Sequence, residues 1–188
     1  MSLSLWLLLL GVAHGQSAPA HGQSAPAHGQ SAPAHGVKGF ALPNNVLQVD
    51  WDALLPPNAG GHAADFPPPP IHGYLGESAP AARQTGSAAV NPDLEGLTLR
   101  IPGFIVPLDE NAEGLVTEFF LVPYYGACIH VPPPPPNQIV YVKPAKPVEV
   151  KDTFDAYWIT GRMHVDVQHH HIAASSYSMD AKKVELYR

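Results

Sequence analysis

The stretch Ala156-Tyr157-Trp158-Ile159-Thr160-Gly161-Arg162-Met163-His164-Val165-Asp166-Val167 decides the fold. Met163, Val165 and Val167 alternate with Arg162, His164, Asp166 and Gln168, and side chains two residues apart share one face of a pleated strand. The run therefore reads as a half-buried strand whose polar side carries His164 and Asp166 together. Working outward, similar short runs rich in Val, Ile, Phe, Tyr or Thr occur at 97–106, 118–122, 139–142 and 176–186. Five short strands separated by Gly and Pro predict a mainly β fold, a small antiparallel barrel of the oligonucleotide/oligosaccharide-binding (OB) type. A short N-terminal segment and long Pro-rich loops complete it. The fold name does not by itself license nucleic-acid binding.

Composition supports a single domain and excludes several functions. The chain has 188 residues, of which 45% are hydrophobic, enough for one core. With 22 Pro and 16 Gly, about one residue in five interrupts regular structure, which rules out a large helical bundle. Ten Lys+Arg against 16 Asp+Glu leave a net charge of −6, so nothing draws the chain to a phosphate backbone or an anionic membrane surface. Nucleic acid is accordingly not expected as a partner. One Cys excludes an intrachain disulfide framework, and 11 His make imidazole the main resource for any metal chemistry.

The first 36 residues are read as processing and tether. Residues 3–12 form an apolar run of ten, too short for a span of about 20 residues. Ala13-His14-Gly15 then offers small residues for a signal-peptidase cut, although no Lys or Arg precedes the apolar run. Residues 1–15 are thus expected to be a cleaved signal peptide, giving a periplasmic or secreted protein with no membrane span in its mature form. Ala-His-Gly-Gln-Ser-Ala-Pro repeats three times through Pro33 and partly again to Gly36. Without a large apolar residue this heptapeptide cannot form a coiled-coil seam, so 16–36 is read as a disordered linker. The β-rich domain is expected over 37–188. Within it, Val46–Leu55 is read as a strand running into an aborted helical turn that packs Trp51 and Leu54. Residues 58–91 are read as a loop insertion in which His62, Asp65 and His72 are either ligands or merely solvated.

The candidate chemistry sits in Pro123-Tyr-Tyr-Gly-Ala-Cys128-Ile-His130-Val-Pro132-Pro-Pro-Pro-Pro136-Asn137-Gln138. In an extended chain Cys128 and His130 project to one face, and the following five prolines stiffen the path as polyproline II. Three readings stay open. Cys128 and His130 can be two zinc or copper ligands, completed by His164, Asp166 or one of His169, His170 and His171, although only His169 and His171 share a strand face. Alternatively His130 activates Cys128 as a nucleophile, for which no third member or oxyanion hole is visible. In the third reading Cys128 is a small core residue and His130 a structural one.

Ile101-Pro-Gly-Phe-Ile-Val-Pro-Leu108-Asp, Glu118-Phe-Phe-Leu-Val-Pro-Tyr124, the Gly126 to Gln138 block and Ala174-Ser-Ser-Tyr177-Ser-Met resemble the bacterial domain of unknown function 3299 family (DUF3299). The resemblance spans roughly Val46 to Tyr187, with Asp50-Trp51-Asp52-Ala-Leu-Leu-Pro leading it. It implies an exported or lipid-anchored envelope protein, in some members encoded near ABC-type transporters under zinc-responsive control, and it brings no catalytic activity. This chain lacks a lipid-attachment Cys, so it resembles a soluble periplasmic form. Cys128, His130, Asn137 and Gln138 carry over as a motif, without an assigned role for any of them. The expectation is an exported envelope protein that binds zinc through Cys128 and His130 with help from His164, Asp166, His169 or His171. The alternative is an accessory module that docks to an ABC-type transporter or other envelope protein through the polyproline segment and Tyr124/Tyr125.

Overall fold

The computed structural model describes residues 37–59, 83–128 and 132–188. The expected signal peptide, the heptapeptide tract, His62, Asp65, His72 and His130 lie outside the described residues. Among the described residues nine strands form, β1 (Phe40–Leu42), β2 (Val46–Gln48), β3 (Thr98–Glu110), β4 (Val116–Val122), β5 (Val140–Pro144), β6 (Ala156–His164), β7 (Gln168–His169), β8 (Ala174–Ser175) and β9 (Tyr177–Leu186). Short 3-10 turns occupy Trp51–Leu54, Pro92–Leu94 and Pro136–Gln138. Among the described residues no helix is long and apolar enough to cross a membrane.

The five long strands close on themselves in the order β3-β4-β5-β9-β6 and back to β3. Each junction is antiparallel except β5–β9, which is parallel. The mainly β barrel expected from the sequence is therefore present, with mixed rather than wholly antiparallel pairing. Numbered as five strands the order is 1-2-3-5-4-1, the OB-type arrangement. β3 serves three neighbours because it is long. Over Thr98–Phe104 one edge pairs with β6, while its other edge takes β2 in parallel at Thr98–Arg100 and β4 beyond Phe104. Gly103 lies at that handover, where a Cβ would stand 2.7 Å from the Val122 carbonyl oxygen, so only glycine permits the approach.

Period-two alternation sorts two apolar faces. Leu99, Ile101, Ile105, Phe119, Leu121, Val140, Val142, Ile159, Met163 and Met179 point into the barrel, and each is at most 1% exposed. Leu54, Trp51 and Leu94 join that core, so the aborted turn after β2 behaves as expected. Its anchor is explicit, since Trp51 Nε1 donates to the Pro102 carbonyl at 2.7 Å. The intervening residues Val106, Phe120, Val122 and Tyr141 face outward and make a second buried cluster with Ala127, Ile139 and Ala173. Burying a Phe or Leu contributes about 1.5–3 kcal/mol, so a covered outer face is a substantial share of the fold's stability.

The apolar alternation in the β6 stretch stops sooner than the sequence indicates. Met163 is buried and Val165 is partly packed on the core, but β6 ends at His164 and Val167 is 57% exposed. The pattern of Val165 to Gln168 is that of a chain leaving the barrel, not of a strand continuing along it.

Candidate functional site

The Cys128 loop lies against the outer apolar face of the barrel. Phe104, Leu108, Tyr124, Cys128 and Ile172 pack on the cluster built from Val106, Phe120, Val122 and Tyr141. Residue 128 has φ of 68°, in the left-handed region that costs a residue with a Cβ about 1–2 kcal/mol. Cys128 itself thus departs from the extended backbone assumed for the pair, whose other member, His130, lies outside the described residues. Burial pushes the Cys128 thiol up from 9.0 to about 12. The cause is desolvation, which disfavours the thiolate in apolar surroundings. Tyr124 shares the setting. Its hydroxyl donates to the Pro132 carbonyl at 3.4 Å, and its pKa is raised by burial first and by Cys128 second.

The proline run is bound down rather than presented. Pro134 and Pro135 are buried. Gln84 Nε2 donates to the carbonyls of Pro134 and Ala174, both at 2.8 Å, while Gln84 Oε1 accepts from Ala174 N at 2.8 Å. One side chain thus ties the polyproline path to β8. Gly86, at φ 98°, abuts the Pro135 ring, where a Cβ would stand 2.6 Å from Pro135 Cγ. Residues 83–91 consequently form a strap over the motif, although the whole of 58–91 was read as a loop insertion.

Asn137 and Gln138 acquire a structural role. Both are buried, and Asn137 Nδ2 donates to the Ala89 carbonyl at 2.8 Å while Gln138 Nε2 donates to the Trp51 carbonyl at 3.2 Å. Backbone bonds reinforce this seam, from Asn137 N to Ser87 O at 3.3 Å and from Ser176 N to Pro136 O at 2.8 Å. Tyr177 closes it from inside. Its hydroxyl donates to Leu54 O and accepts from Asn91 N, both at 2.6 Å. These contacts draw together four distant parts of the chain. They explain why an amide pair should end a proline run, since such a side chain supplies the donors that the prolines lack.

The proposed histidine ligands are dispersed. His164 is held by two carboxylates, Nε2 to Asp180 Oδ2 at 2.9 Å and Nδ1 to Glu95 Oε1 at 3.4 Å. Asp166, expected beside His164, instead accepts from Gln168 Nε2 at 2.6 Å, because it lies past the end of β6. Glu95 also accepts from Val165 N at 2.7 Å, so it and Asp180 are the partners that sequence spacing did not reveal. In the His169-His170-His171 run the middle residue turns inward. His170 packs edge-on to Phe120 at 5.1 Å and tilted on Tyr141 at 4.7 Å, whereas His169 and His171 are exposed. Among the described residues, no three His, Cys, Asp or Glu side chains are grouped so as to hold a metal ion.

The outer surface of β4 and β5 is where OB-type barrels receive oligonucleotides or oligosaccharides. Here Phe120, Val122 and Tyr141 on that surface are already covered by the chain's own Ala127, His170 and Ala173. Among the described residues β7 and β8 pair with each other, and the connection between them carries His170 and Ala173.

Comparisons with known proteins agree with this architecture. A family model described as protein of unknown function (DUF3299) matches residues 51–186. The crystal structure of a DUF3299 family protein from Pseudomonas aeruginosa PAO1, at 2.45 Å resolution, is 44% identical in sequence and superposes with a TM-score of 0.61. The match covers 75% of this chain and 95% of that one. No curated protein matches the sequence.

Proposed function

This chain belongs to the DUF3299 family of proteins of unknown function, and we propose that it is an exported, non-catalytic accessory module that docks to a protein of the bacterial envelope. The observation that carries this reading is the self-covered β4–β5 face, which leaves the usual OB ligand surface filled by the protein's own residues. The thiol supports it, since a group held near 12 supplies almost no thiolate at neutral pH. A family resemblance to envelope proteins supplies the location and the class of partner, an ABC-type transporter or another envelope protein.

Zinc ligation at Cys128 is the competing proposal. It is favoured by the left-handed backbone of Cys128, a strain of the kind that collects at functional sites. It requires His130 and at least one further donor, and His164, Asp166, His169 and His171 are engaged or exposed elsewhere.

Docking is tested with the full chain produced in its native host and carrying a photoreactive residue at single exposed positions around the barrel. The reading expects a discrete cross-linked adduct from a contiguous group of positions. No adduct from any position, together with one bound zinc that Cys128→Ala abolishes, would replace docking with metal binding.

A further inference from the structure

Phe154 is 64% exposed in the loop between β5 and β6, yet its ring is not loose. It stacks on Tyr125 with centroids 4.1 Å apart and planes 18° apart, and Tyr125 meets Phe104 edge-on at 6.2 Å. Phe104 belongs to β3 and packs on the outer apolar cluster, so the aromatic ladder is rooted in the barrel. The loop itself is tied, because Phe154 N donates to Asp152 Oδ1 at 2.9 Å and Asp155 N to Asp152 O at 3.2 Å. A ring ordered before binding loses little conformational freedom on contact, the property of an anchor residue.

Charge states the partner's chemistry. Asp152 and Asp155 flank Phe154 in the same loop, which also carries Glu149. Of the loop's two lysines, Lys146 and Lys151, the second pairs with Glu149 at 3.8 Å. An exposed ring flanked by carboxylates favours guanidinium groups, which stack on rings and pair with acids.

We propose that Phe154 and Tyr125, with Asp152 and Asp155 flanking Phe154, form a docking surface for an Arg-bearing segment of a protein partner. This rests on the docking reading and names the surface and the complement it requires. The test is fluorescence anisotropy of the full chain with a labelled nonapeptide of alternating Arg and Gly, and with its Glu-for-Arg counterpart. Wild type should bind the Arg peptide and not the Glu peptide. Phe154→Ser, which removes no charge, should weaken binding about tenfold, equivalent to about 1.4 kcal/mol. Phe40→Ser, altering an exposed ring in β1, should leave binding unchanged. Equal effects of the two substitutions, or no affinity for the Arg peptide, would overturn the proposal. Photo-crosslinks confined to another face would remove this surface while keeping the docking reading, and stoichiometric Cys128-dependent zinc without crosslinks would remove both.

Discussion

The thiol of Cys128 offers the most quantitative prediction. Burial raises it from 9.0 to about 12, so at pH 8 the thiolate fraction falls from about one in ten to about one in ten thousand. Alkylation by iodoacetamide in the folded protein should therefore run about a thousandfold slower than in urea. The same shift makes a stability statement. Between pH 9 and 12 the native thiol keeps a proton that the unfolded chain has released, so unfolding sheds a proton and stability falls as pH rises. Each unit of that window is worth up to about 1.4 kcal/mol. Because the window opens gradually, wild type should lose about 1 kcal/mol more than Cys128→Ala between pH 9 and 10. Tyr177 and the other raised tyrosines are common to both proteins and cancel in the difference, apart from the small coupling of Tyr124 to Cys128. Urea melts at the two pH values measure the stability difference, and mass spectrometry of timed aliquots measures the alkylation rate. Native alkylation as fast as in urea, with no pH-dependent difference, would refute the buried-thiol account and revive the nucleophile reading.

Other substitutions separate bracing from binding. Tyr177→Phe should cost about 1–3 kcal/mol in urea unfolding, because it leaves the buried Asn91 N–H and Leu54 carbonyl without their shared partner. Ser175→Ala should be neutral or slightly stabilising in the same assay, since its buried hydroxyl has no partner among the described protein groups. Gly86→Val should destabilise by about 2–4 kcal/mol, from left-handed backbone strain plus collision with Pro135, and a loss under 1 kcal/mol would mean that the strap does not hold the motif. His164→Ala should cost less than about 1 kcal/mol, because its carboxylate partners are largely solvated and the pair is screened.

The barrel was legible because its information is local. Alternation places Phe119 and Leu121 inside and Phe120 and Val122 outside, and a strand's own pleat dictates that division. The five long strands consequently appear where composition and Pro/Gly punctuation put them. What escaped the sequence depends on contacts between distant segments. Gln84 reaches Pro134 and Ala174 across 50 and 90 residues, and no spacing rule links an isolated glutamine to a proline run. His164 was correctly placed at a strand's polar edge, but its partners Glu95 and Asp180 come from other parts of the chain. The paired placement of Cys128 and His130 assumed extended backbone, and only a dihedral angle reveals that Cys128 departs from it. Alternation identified which residues of the histidine run share a face, but the ring contacts with Phe120 and Tyr141 turn His170 inward and leave the other two outside.

Metal content of the untagged full chain, measured by elemental analysis beside Cys128→Ala after equilibration with excess zinc and gel filtration, tests the central claim most directly. The account predicts the same small, substoichiometric zinc in both proteins. One equivalent retained by wild type and lost in Cys128→Ala would contradict it.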